Sequence, residues 1–119
     1  MKIAVTSQGE NMNSEVDPRF GRAKRFIVLD TDTGEQQVVD NTQNLNAVQG
    51  AGVQAAQTVV ELGVDAVLTG NCGPKAFRVL EAAGIKIYLG VEGEIEAAVA
   101  KLKSGQYKAA DNFNVEGHW

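Results

Sequence analysis

The stretch Asp65-Ala-Val-Leu-Thr-Gly-Asn-Cys-Gly-Pro-Lys-Ala-Phe77 leaves the chain few ways to fold. Ala66 to Leu68 is a short apolar run suited to a strand buried on both faces. Gly73-Pro74 then opens a helix. Glycine is accepted at an N-cap, and proline suits the first helical position, where no N–H is needed. Cys72, the only cysteine, lies in the turn between them. A strand-to-helix turn of this kind aims unpaired backbone N–H groups and the positive end of a helix dipole at whatever occupies it, which suits an anion. Two readings of Cys72 stand side by side. In that field its thiol ionises below the ordinary value. Alternatively it is a small buried residue in a βα turn, because free cysteine is among the most buried residue types.

The remaining elements follow from periodicity and turn residues. Lys2 to Thr6 is a first strand, and Ser7 to Ala23 a long connection holding Gly9, Gly21 and the Asp17-Pro18 turn signal. Connections this long in compact domains are usually functional or disordered. Lys24 to Asp30 is a second strand, with Phe26 and Val28 on one face. Thr31-Asp-Thr-Gly34 turns the chain into a third strand, Gln36 to Asp40. Asn41 to Gln49 is polar and irregular. A helix runs from about Gly52 to Leu62, with Val53, Ala56, Val60 and Gly63 on one stripe. The helix opened by Gly73-Pro74 reaches about Ala83, with Ala76, Phe77, Leu80 and Ala83 inward. Ile85 to Leu89 is the last strand. Glu94 to Lys103 is a third helix, burying Ile95, Ala98, Val99 and Leu102. The tail, residues 106–119, carries Tyr107, Phe113 and Trp119 without a period; it packs along the domain, meets a partner or is disordered.

The order βββαβαβα describes an α/β domain with a mixed sheet. Right-handed crossovers and adjacency give strand order 3-2-1-4-5, with strand 2 antiparallel, and three layers, α/β/α. The first two helices cover one face and the third the other. In that topology the loops at Ser7–Ala23, Asn41–Gln49, Thr69–Gly73 and Gly90–Gly93 share one edge, where open sheets bind ligands. The basic cluster Arg19-Phe-Gly-Arg22 and the Cys72 turn are therefore expected neighbours.

Composition narrows the function. A chain of 119 residues suggests one domain, residues 1–119, able to bury a core without disulfides. The net charge of −4 argues against general nucleic-acid binding. No apolar run approaches the roughly 18 residues of a membrane helix. Met1-Lys2 leads straight into Ile3-Ala-Val5, too short for a secretory core, and one cysteine fits a reducing compartment, so the expected location is cytoplasmic. One cysteine and one histidine cannot complete a four-ligand zinc or four-cysteine iron–sulfur site. Gly50-Ala-Gly52-Val-Gln-Ala55 spells a dinucleotide pattern, but no strand precedes it and the next strand ends in Thr69-Gly-Asn71 instead of an acid. A two-metal nuclease lacks carboxylates at these strand ends. A Cys72–His118 pair would rest on a penultimate, end-of-chain histidine.

Asp17-Pro-Arg-Phe-Gly-Arg22 before a Phe-containing strand, Gly50-Ala-Gly52, and Gly70-Asn-Cys-Gly-Pro-Lys-Ala76 followed by Leu80 and Gly84-Ile85 together resemble the dinitrogenase iron–molybdenum cofactor biosynthesis family, from Met1 to about Lys103. The resemblance implies a ribonuclease H-like α/β fold and a non-catalytic carrier or assembly protein for an anionic metal–sulfide cluster. It implies molybdenum in that cluster, of a Mo–Cu–S or Fe–Mo–S type, and proteins that donate or accept it. Some members carry histidine near the glycine-rich segment, or a turn without cysteine; here Ala47-Val-Gln49 and Cys72 stand instead. The candidate binding residues are Arg19, Phe20, Gly21, Arg22, Gly50, Gly52, Asn71, Cys72 and Gly73. Cys72 is the candidate soft metal ligand and Met12 a weaker one. The rival reading is a small thiol-dependent or phosphate-handling enzyme using Cys72, which the sequence leaves without a nearby general base. A third is an interaction module working through the aromatic tail.

Overall fold

In the computed structural model the described residues are 1–44 and 50–116; Ala47-Val-Gln49, His118 and Trp119 lie outside them. Strand β1, Lys2–Ser7, is central. Its Ile3, Ala4 and Val5 are wholly buried, as a strand covered on both faces requires. It pairs antiparallel with β2, Arg25–Asp30, and parallel with β4, Ala66–Leu68. β3, Gln36–Asp40, adds antiparallel to β2, and β5, Lys86–Tyr88, adds parallel to β4. The sheet order is β3-β2-β1-β4-β5, as expected from the crossovers.

Alternation along the strands divides the core. Ala4, Phe26, Val28 and Val67 face α1, Ala51–Glu61, and α2, Pro74–Ala82. Ile3, Val5, Ile27, Leu29 and Leu68 face α3, Ile95–Lys103. Two helices therefore cover one side and one the other, as the connection hand demands. No helix among the described residues is long and apolar enough to cross a membrane.

Two inward faces differ from expectation. In α1 the buried residues are Ala51, Ala55, Ala56 and Val59; Val60 is exposed and Val53 only half-buried. The inward stripe is made of small residues because α1 lies close against α2. A Cβ on Gly52 would sit 3.3 Å from the Ala76 Cβ. In α2, Ala83 lies past the last turn and is exposed, while Ala76, Phe77 and Leu80 are buried as expected.

Candidate functional site

The long connection after β1 returns to the sheet at Asp17. The Asp17 N–H donates to Thr6 O (2.9 Å) and Thr6 Oγ1 donates to Asp17 O (2.7 Å). Asp17 Oδ1 accepts the Arg19 N–H at 3.0 Å, a local turn that tolerates aspartate well. The loop then meets the turn after β4. Asn71 Nδ2 donates to Pro18 O (2.9 Å), and the Phe20 N–H donates to Asn71 O (3.0 Å). The Arg19–Arg22 loop and the Cys72 turn are thus neighbours, as the topology predicts. Gly70 makes the approach possible. A Cβ there would lie 2.7 Å from Pro18 Cα and 2.9 Å from Pro18 O, both backbone atoms. Gly70→Ala must push the two loops apart, at about 1–3 kcal/mol. The expected result is a melting temperature several degrees lower. Unchanged melting would show that the loops are not held this close.

Four of the candidate residues need correction. Phe20 is wholly buried, its ring tilted against Phe26 with centroids 5.8 Å apart, so it is a core residue and offers no ring to a ligand. Gly21 is buried too, and its carbonyl accepts Asn41 Nδ2 at 3.2 Å. Met12 packs against the α3-side core, on the sheet face opposite to Cys72. Cys72 itself is fully buried in the α1/α2-side core, and burial pushes its thiol up to about 12. The expectation of an acidified thiol is overturned. The side chain packs among the apolar residues of that core, its Sγ donating to Gly73 O at 3.7 Å, and desolvation disfavours the thiolate.

What gathers at the edge is backbone and cationic charge. α1 starts at Gly50, in a left-handed conformation (φ 79°), and α2 at Gly73; neither N-cap makes a side-chain hydrogen bond. The Gly52–Ala76 approach lies in the first turns of both helices, so their positive ends adjoin. The start of α3 is different: Ser14 O and Met12 O accept the Ile95 and Glu96 N–H groups. Among the described residues the Arg19 guanidinium makes no hydrogen bond or ion pair, and its electrostatic neighbour is Asp17. Burial pushes the Asp17 carboxyl up, against the pull of the Arg19 N–H that it accepts and of the Arg19 and Lys24 charges. Arg22 sits between two clamped carbonyls, Gly21 O and Ala23 O, both accepting from Asn41 Nδ2 (3.2 and 2.8 Å). Asn44 Nδ2 in turn donates to Asn41 Oδ1 at 2.8 Å. Among the described residues no group of three or more His, Cys, Asp or Glu side chains could hold a bare metal ion. Asp17, Asn41 and Asn114 are the residues that sequence reasoning missed here. Asp17 was readable as a turn signal; nothing local marks the other two.

The model of one family, described as dinitrogenase iron-molybdenum cofactor, matches residues 1–105. The chain belongs to that family. Within the same fold, the apo form of the orange protein from Desulfovibrio gigas is 43% identical, with a TM-score of 0.93 over 96% of each chain. A NifB candidate protein from Thermotoga, solved by NMR, is 34% identical with a TM-score of 0.83 over 98% of each chain. An uncharacterized protein of Methanocaldococcus jannaschii is 29% identical over 109 residues, 89% of this chain and 88% of the relative.

Proposed function

We propose that this protein binds an anionic metal–sulfide cluster as cargo at the strand-end edge and acts as a carrier or assembly protein without chemistry of its own. One observation carries the reading. Two helix N-termini without side-chain caps adjoin each other beside Arg19, whose guanidinium has no hydrogen-bonded or ion-paired partner among the described residues. Backbone N–H groups, dipole ends and a guanidinium all favour anions. The donor set fits a cluster that keeps its own sulfide ligands, because Cys72 is buried and its thiol raised. The same facts disfavour Cys72 as an enzymatic nucleophile, which needs an exposed thiolate. The family's name supports molybdenum in the cargo; copper beside it rests on the sequence resemblance alone. Cluster-donating and cluster-accepting proteins are the implied partners. We read the sheet order as the ribonuclease H-like topology.

The test is titration of the apo protein with tetrathiomolybdate, with and without Cu(I), followed by visible absorption and metal analysis after gel filtration. Saturable uptake with a shifted spectrum is expected. Absence of retained molybdenum under both conditions would sink the proposal.

A further inference from the structure

We propose that Asn114, in the tail and outside every sequence motif, is a positioning residue of this site; the proposal rests on the cluster-binding reading above. The tail crosses the edge of the sheet. Tyr107 packs against the α3-side core, whereas Ala110 and Phe113 pack against the α1/α2-side core. On the way the Ala110 N–H donates to Ile87 O at 2.7 Å. The crossing delivers Asn114 to the turn after β4. Its Nδ2 donates to Gly70 O and to Asn71 Oδ1 (3.1 Å each), its Oδ1 accepts the Cys72 N–H (2.9 Å), and its own N–H donates to Cys72 O (3.3 Å). One amide side chain supplies two donors and an acceptor, and here all three roles are used on three consecutive residues.

The consequence reaches Arg19 through Asn71. With Asn71 Oδ1 held by a donor from Asn114, its Nδ2 must face the other way, and there it donates to Pro18 O. A flipped Asn71 amide would set two acceptor oxygens against each other at Pro18. Asn71 also accepts the Phe20 N–H through its main-chain oxygen. Asn71 therefore holds the residues on both sides of Arg19, and Asn114 fixes which way the Asn71 amide points. The tail thus sets the backbone that carries the cationic side chain of the site. Asn114 is exposed, so removing its amide opens no cavity in the core.

A double-mutant cycle with Arg19→Ala tests this, with tetrathiomolybdate as the probe. Asn114→Ala is expected to weaken binding about three- to tenfold in the otherwise unchanged protein, the worth of roughly one hydrogen bond. In the Arg19→Ala background it should cost nothing further. An equal loss in both backgrounds overturns the proposal, since Asn114 would then act independently of Arg19. A second arm needs no ligand: amide hydrogen exchange followed by NMR. In Asn114→Ala the Phe20 N–H should exchange about tenfold faster, again roughly one hydrogen bond, while Val5 stays protected. Unchanged Phe20 protection overturns the proposal. If the unaltered protein takes up no tetrathiomolybdate, the cluster reading fails and the exchange arm still decides the role of Asn114.

Discussion

Replacing Arg19 and Arg22 together with alanine lowers the affinity for a thiomolybdate cluster by two to four decades. The figure follows from two charge-assisted hydrogen bonds at about 1.5–3 kcal/mol each. Arg19→Ala alone should account for about half of the loss on this logarithmic scale. Cys72→Ser keeps the turn and its N–H groups, and the buried thiol has no place in the electrostatic account, so it should cost less than about one decade. Raising the salt concentration should weaken the unaltered protein more than the double variant, because screening acts on charge that only the former has. The measurement is a titration of all three variants at two salt concentrations. Loss of uptake in Cys72→Ser with normal binding in the double arginine variant would mean a covalently anchored cluster, and the electrostatic account would be wrong.

The second large effect concerns Cys72 and alkaline pH. Burial raises its pKa in the folded protein from an ordinary 9.0 to about 12. Above the unfolded value the open chain releases this proton and the native state does not, so stability falls with rising pH. The contribution is intact below about pH 9 and is lost at about 1.4 kcal/mol per pH unit up to the folded value, roughly 4 kcal/mol in all. Denaturant titrations of the protein and of Cys72→Ala at several pH values between those limits isolate this slope from the titration of lysine and tyrosine. The unaltered protein should lose stability more steeply. Alkylation should likewise wait for unfolding. Parallel pH curves for the two proteins, or rapid alkylation of the native protein near neutral pH, would contradict the buried state.

The sheet was legible because its signals are redundant. Ala66 to Leu68 is too short and too apolar to be anything but an inner strand once Gly73-Pro74 follows it, and the hand of the crossovers then leaves one strand order. Helix α3 was readable because Ile95, Ala98, Val99 and Leu102 recur at helical spacing among charged residues, and all four face inward. Helix α1 misleads because hydrophobicity favours Val53 and Val60, whereas close packing against α2 favours Ala51 and Ala55; Ala56 is inward on both counts. Only the geometry of two helices together decides between them. At the site, the convergence of Arg19 with the Gly70–Cys72 turn follows from topology. The direction of the Cys72 side chain does not, since a turn residue can point toward the ligand edge or into the core with the same sequence around it. Asn41 and Asn114 were invisible for another reason. Their partners, Gly21, Ala23 and the Gly70–Cys72 turn, are remote in sequence, and an asparagine in a polar segment looks the same whether or not it has such partners.

The crossing of the tail over β5 leaves the two rims of the sheet unlike. At one rim Ile87 O is already engaged by the Ala110 N–H. At the other, β3 is exposed along most of its length, with Val38 at 46%. Fibrous growth by strand addition requires that every incoming molecule present a fresh rim to the next. A rim whose outward carbonyl is already taken is a poorer template for an incoming strand than a bare one, so the tail that steadies the site also makes the β5 rim less inviting than the β3 rim.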